Sequence, residues 1–164
     1  MRLFLAILLS SDIHAALSDV QSRLIRRGIR GNFTDTANLH LTLAFIGDYP
    51  DPDVVFEAME SVPFEPFPLA LEGIGSFGNL WWVGIRKSVP LESYVRRLRH
   101  ALAEADIPFD KKRFSPHITL IRKANGKLPG ITVPAAEMTV RRVSLMRSDR
   151  GKHGMIYTEI ASKS

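Results

Sequence analysis

There is no cysteine among the 164 residues. Disulfides, thiolate metal sites and a thiol nucleophile are excluded together, and the chain suits a reducing compartment, so the cytoplasm is the expected location. No apolar run approaches the ~20 residues that would span a bilayer as a helix, and no membrane partner is expected. Low-complexity tracts and interdomain linkers are also missing, so residues 1–164 are expected to form one domain. Acidic charge is scarce in the second half. Residues 83–164 carry 17 basic and 7 acidic side chains, whereas residues 1–82 carry 5 and 10. An imbalance of this kind points to an anionic partner on one face. Of the 22 basic residues 15 are arginine, the side chain that grips phosphate with two parallel donors.

What is present is a hydrophobic content of 45%, enough for a packed core. Arg2 and the apolar run at 3–9 have the order of a short signal peptide. The run is at the low end of the ~7–15 residues of such a segment and starts directly at Arg2, which favours a buried first strand at 2–8. Asp12 is a candidate cap for a helix ending near Gly28, with Ile13, Ala16, Leu17, Val20 and Leu24 on one face. Residues 39–46 alternate as a strand. Asp51 and Pro52 open a short helix to about 62. A proline-rich connection at 63–68 leads to a hairpin over 69–86 with its turn at 75–79. A helix is expected over 90–105, with Arg96, Arg97 and Arg99 facing outward. A strand at 116–121, a polar loop at 123–130 and strands at 137–147 and 154–161, joined by a charged loop at 148–153, complete the chain. Strands and helices do not alternate strictly, so the fold class is α+β with mostly antiparallel pairing.

Chemistry concentrates in two short motifs. His40-Leu41-Thr42-Leu43 and His117-Ile118-Thr119-Leu120 repeat the pattern His-apolar-Thr-Leu, about half a chain apart. With 5 His and 7 Thr, chance supplies roughly 0.2 His-x-Thr pairs, so two by accident is about a 2% event. Alternation along a strand puts His40 and Thr42 on one face and Leu39, Leu41, Leu43 and Phe45 on the other. His117 and Thr119 share a face in the same way. A cleft between the two strands would hold two imidazoles and two hydroxyls. Imidazole titrates near neutrality and can take a proton from water or give one to a leaving oxygen, a service worth ~10²–10⁴ in rate. Threonine hydroxyls can donate to non-bridging phosphate oxygens, where charge builds up. Two histidines without a third ligand make poor zinc spacing, so no metal and no cofactor are expected. His14, His100 and His153 read as ordinary surface residues.

With its surroundings the pair resembles the 2H phosphoesterase superfamily, and within it the RNA 2′,3′-cyclic phosphodiesterases, historically called 2′-5′ RNA ligases. The resemblance is carried by residues 2–7, 38–48, 75–78 and 114–122, and by Ile156-Tyr157-Thr158. It implies a two-lobed α+β fold with pseudo-twofold symmetry, antiparallel sheets, outer helices and a central cleft. It implies hydrolysis of an RNA terminal 2′,3′-cyclic phosphate, or of a small cyclic nucleotide, to a 2′-phosphate, with reversible ATP-independent ligation as a further capacity. His40 would protonate the 3′-oxygen, His117 would activate water, and Thr42 and Thr119 would hold the phosphate. Arg122 matches a nucleotide-holding arginine, although counting by two from His117 puts it on the face away from the cleft. Phe4 is a candidate for base stacking or for the core. A monomer without protein partners is expected. The alternative is a non-catalytic nucleotide-binding module of the same fold, using both motifs as a phosphate grip.

Overall fold

The computed structural model describes all 164 residues. Its strands form two sheets, and every strand pair is antiparallel. The first lobe contains β1 (Arg2–Leu8), β3 (His40–Asp48), β8 (Val143–Gly151) and β9 (Gly154–Lys163), in the order β3-β1-β8-β9. The second contains β2 (Asn32–Phe33), β4 (Phe67–Phe77), β5 (Leu80–Ile85), β6 (His117–Arg122) and β7 (Glu137–Val140), in the order β2-β6-β5-β4-β7. Three helices pack on them: α1 (Ser11–Arg26), α2 (Pro52–Glu60) and α3 (Val89–Glu104).

The apolar run at the start of the chain becomes β1, flanked on both edges, with Leu3, Leu5 and Ile7 fully buried. These side chains join one face of each helix in a single large core. The helix patterns behave as amphipathic stripes: Ile13, Leu17, Val20 and Leu24 of α1, and Leu91, Val95, Leu98 and Leu102 of α3, are all buried. The pseudo-twofold relation is visible in the element order. The series β1-α1-β3 of the first half corresponds to β5-α3-β6 of the second, and β8 and β4 occupy matching places beside β1 and β5. The helices cross over, because α1 reaches β7 of the second lobe and α3 reaches β3 of the first.

Several local expectations are corrected. The N-cap of α1 is Ser10, whose hydroxyl accepts from the Ile13 N–H at 3.3 Å, and Asp12 sits in the first turn instead. Ser88 caps α3 in the same manner through Leu91 N–H, and Ala105 lies exposed just beyond its end. The continuous strand expected over 137–147 is two strands in different sheets. Exposed Arg141 and Arg142 carry the chain from one lobe to the other between them. Most of the loop expected at 148–153 is strand, closed by a two-residue turn at Lys152 and His153. The two-residue β2, beside the end of β6, is not apparent in the sequence pattern.

Candidate active site

The lobes meet along β3 and β6, the two motif strands. Between them lies an open cleft of about 530 Å³ whose lining includes His40, Thr42, His117, Thr119 and Arg122. All four motif residues thus reach one cavity, as alternation requires.

Both imidazoles are held in the same way. His40 Nδ1–H donates to the Asn38 carbonyl at 2.7 Å, and His117 Nδ1–H donates to the Ser115 carbonyl at 2.7 Å. The partner is two residues earlier in each motif. A donor at Nδ1 leaves Nε2 as the nitrogen available to a ligand in the neutral ring. At His40 the Thr42 hydroxyl donates to that nitrogen at 2.8 Å. His117 stands without such a bond to Thr119, so the pair is symmetric in frame and asymmetric in detail.

Aromatic rings wall both histidines. His40 is 5.0 Å from the Phe4 ring and 5.3 Å, edge-on, from Tyr157. His117 is 5.1 Å, edge-on, from Phe77 and 6.1 Å from Trp82. Phe4 is 4% exposed and its ring is committed to His40 and Tyr157, so it backs the histidine and has little surface for a base. Phe77 is 48% exposed at the mouth of the cleft. Trp81 is a core residue. Burial in this setting lowers the pKa of His40 from 6.5, and the charges of Arg122 and His117 push in the same direction. The bond to the Asn38 carbonyl opposes them without reversing the shift.

Arg122 lines the cleft, against the count by two. The reason is a β-bulge. Along β6, Thr119 pairs with Trp82 and Ile121 pairs with the adjacent Trp81, so Leu120 is an extra residue. One inserted residue shifts the alternation by one and turns Arg122 back to the histidine face. β3 carries the same device at the same motif position. Thr42 pairs with Ala6 and Ala44 with Leu5, leaving Leu43 as the extra residue. Phe45, expected on the core side, consequently lines the cleft, with Arg2 stacked 4.9 Å above its ring. Phe45 and Arg122 occupy equivalent positions in the two halves, and neither orientation is legible in a period-two pattern.

Arg99 is a second correction. It does not point outward from α3; it is half-buried, lines the cleft and donates to the carbonyls of Leu43 and Lys112. Lys112, Arg113 and Tyr157 also line the cleft, and Tyr157 gave no signal in the sequence beyond the resemblance. No group of three His, Asp or Glu side chains is disposed to hold a metal ion. Of the remaining histidines, His100 is exposed beside Glu104, His153 is in the β8–β9 turn, and His14 is half-buried on α1.

Comparison with known proteins decides the family. The model of the 2′-5′ RNA ligase superfamily matches residues 9–152. The chain belongs to that superfamily. An RNA 2′,3′-cyclic phosphodiesterase of Thermus thermophilus is 33% identical over 178 residues, covering 96% of this chain and 87% of the relative. One of Geobacillus stearothermophilus is 33% identical over 139 residues, covering 77% of this chain and 43% of that longer protein. Among solved structures, E. coli LigT complexed with 3′-AMP superposes with a TM-score of 0.84 at 25% identity, covering 98% of this chain and 95% of LigT. The superfamily's two-lobed 2H phosphoesterase fold is the one described above, and this chain is an enzyme of that phosphoesterase class.

Proposed function

We propose that the protein hydrolyses the 2′,3′-cyclic phosphate at the end of an RNA, or of a small cyclic nucleotide, to a 2′-phosphate, with His40 and His117 transferring the protons and no metal taking part. The observation that carries this reading is the matched pair of imidazoles. Each is fixed by a carbonyl at Nδ1, each turns Nε2 away from that carbonyl (that of His40 meeting the Thr42 hydroxyl), and both border one cleft with two threonine hydroxyls. Opening a cyclic phosphodiester needs one proton removed from water and one delivered to the departing 3′-oxygen, and two histidines suffice for both. The hydroxyls of Thr42 and Thr119 and the guanidinium of Arg122 would take the charge that grows on the non-bridging oxygens. The name shared by the Thermus and Geobacillus relatives, and the 3′-AMP held by LigT, support the substrate class.

The electrostatics at His40 bear on which histidine is the acid. Burial, which lowers the pKa of His40, favours its neutral ring, and that suits taking a proton. A bound phosphodiester anion pushes the other way, and delivery of a proton by His40 to the leaving oxygen requires that push. A substrate whose leaving group is p-nitrophenolate needs no acid. Replacing the acid histidine by alanine should spare turnover of that ester, and replacing the base should abolish it.

The test is incubation of the protein, in EDTA, with a short RNA ending in a 2′,3′-cyclic phosphate. The expected product is the 2′-phosphate alone, with turnover lowered at least ~10²-fold in both His40→Ala and His117→Ala. Loss of activity in EDTA would overturn the metal-free step. A bound nucleotide without turnover would leave a phosphate-binding module.

A further inference from the structure

The two bulges pose a hydrogen-bonding problem. An extra residue falls out of register with the neighbouring strand, and Leu43 and Leu120 are both fully buried. A buried carbonyl needs a donor. Each finds one in a side chain from the helix of the other half of the chain. The Leu120 carbonyl of β6 accepts from Gln21 Nε2 of α1 at 3.0 Å. The Leu43 carbonyl of β3 accepts from Arg99 of α3, from Nη2 at 3.1 Å and Nε at 3.3 Å.

The correspondence extends to the second partner of each side chain. Gln21 Nε2 also donates to the Thr34 carbonyl at 2.9 Å, in the segment leading into His40. Arg99 Nη1 donates to the Lys112 carbonyl at 2.7 Å, in the segment leading into His117. Main-chain bonds run beside them: Thr34 N–H donates to the Leu120 carbonyl and Asp110 N–H donates to the Phe45 carbonyl, each at 2.8 Å. Gln21 is buried, and the Arg99 guanidinium lies over the rings of Phe109 and Phe114 at 5.9 and 5.6 Å. Two unlike side chains thus do the same task on the two sides of the pseudo-twofold relation.

We infer that Gln21 and Arg99 are a matched pair of positioning residues that cross-brace the cleft, each tying the bulge of one motif strand to the segment that leads into the other motif. The inference rests on the reading of His40 and His117 as the proton-transfer pair. Each brace joins segments from both halves of the chain beside a motif strand, so together they hold the two strands from which the imidazoles project. Proton transfer is sensitive to misplacements near 1 Å, whereas holding a phosphate with hydroxyls and a guanidinium tolerates more. Loss of a brace therefore lowers kcat and leaves KM nearly unchanged. Lysine at 99 keeps the charge but must reach both carbonyls from one nitrogen, without the planar fork.

The experiment compares Arg99→Lys and Gln21→Met with the native protein and with Arg96→Lys, an exposed position on the same helix. Steady-state kinetics on adenosine 2′,3′-cyclic phosphate are measured well below each thermal midpoint, with histidine side-chain ¹⁵N–¹H spectra of the ligand-free proteins. The expected result is a loss of about 10- to 100-fold in kcat with KM within about threefold, and movement of both the His40 and His117 ring signals in each brace variant. Arg96→Lys should match the native protein. Native kcat in a folded Arg99→Lys, a KM that rises in proportion to the lost activity, or unmoved ring signals would each overturn the inference. If Gln21→Met fails to fold, Arg99→Lys alone decides. If the native protein turns over no cyclic nucleotide, the functional reading fails, and movement of the His117 ring signal in Arg99→Lys decides the brace separately.

Discussion

His40 is the histidine of the cleft whose titration the fold perturbs. Its folded pKa is lowered, first by burial and then by Arg122 and His117. The sign of the consequence for stability follows from linkage. Below 6.5 the unfolded chain binds a proton at this ring that the folded chain resists, so the folded state loses stability as pH falls below that value. Thermal unfolding at pH 7 and pH 5 is the measurement. The drop in midpoint on acidification should be smaller in His40→Gln than in the native protein, and an equal drop would remove His40 as a source. Arg122→Gln removes one of the charges that lower the pKa. The His40 titration, followed by NMR, should therefore move upward in that variant.

At the scale of elements, the motif strands work because they are irregular. A regular β3 and β6 would present His and Thr to the cleft but would bury Arg122 and Phe45 on the core side. The bulge at the fourth motif residue of each strand reverses this. The hairpin β4–β5 contributes by close approach. A Cβ on Gly75 would land in the indole ring of Trp82, which neighbours His117 and Phe77. Gly75→Ala is expected to cost about 1–3 kcal/mol of stability, as overpacking does, and to displace the wall of His117. Denaturant unfolding reports the first effect and turnover the second. The helices were largely legible, since three-to-four spacing and Asp51-Pro52 identified their faces and one of their starts. Ser10 and Ser88 as caps, and the split of 137–147 between two sheets, depend on where the chain turns, which local pattern does not carry.

At the scale of the whole molecule, the formal charge of +5 hides a stronger asymmetry. The second half supplies Arg99, Lys112, Arg113 and Arg122 to the cleft. A single-stranded RNA meeting about three such cations should lose affinity on the order of tenfold between 50 and 200 mM salt, and a mononucleotide should lose less. Equilibrium binding of a His117→Ala protein to both ligands tests this without turnover; equal salt dependence for the two would place the cations away from the RNA. Mutual burial also acts at this scale, because α1 and α3 each donate a side-chain hydrogen bond to the motif strand of the other half of the chain.

The sequence by itself determined which histidine and threonine side chains the two motif strands offer to one cleft. Two His-x-Thr motifs fixed which imidazoles and hydroxyls share a face, since neighbouring side chains on a strand alternate by local geometry alone. It also determined the helix faces, the buried first strand and the excess of arginine in the second half. Tertiary structure decided what alternation could not. An inserted residue is defined only relative to a partner strand, so the bulges that turn Phe45 and Arg122 into the cleft exist only once β1 and β5 pair with the motif strands. The inward role of Arg99 and the bridging role of Gln21 have the same origin. Each donates to the carbonyl of a bulge residue far away in the chain, and a helical wheel of polar and apolar residues holds no record of it.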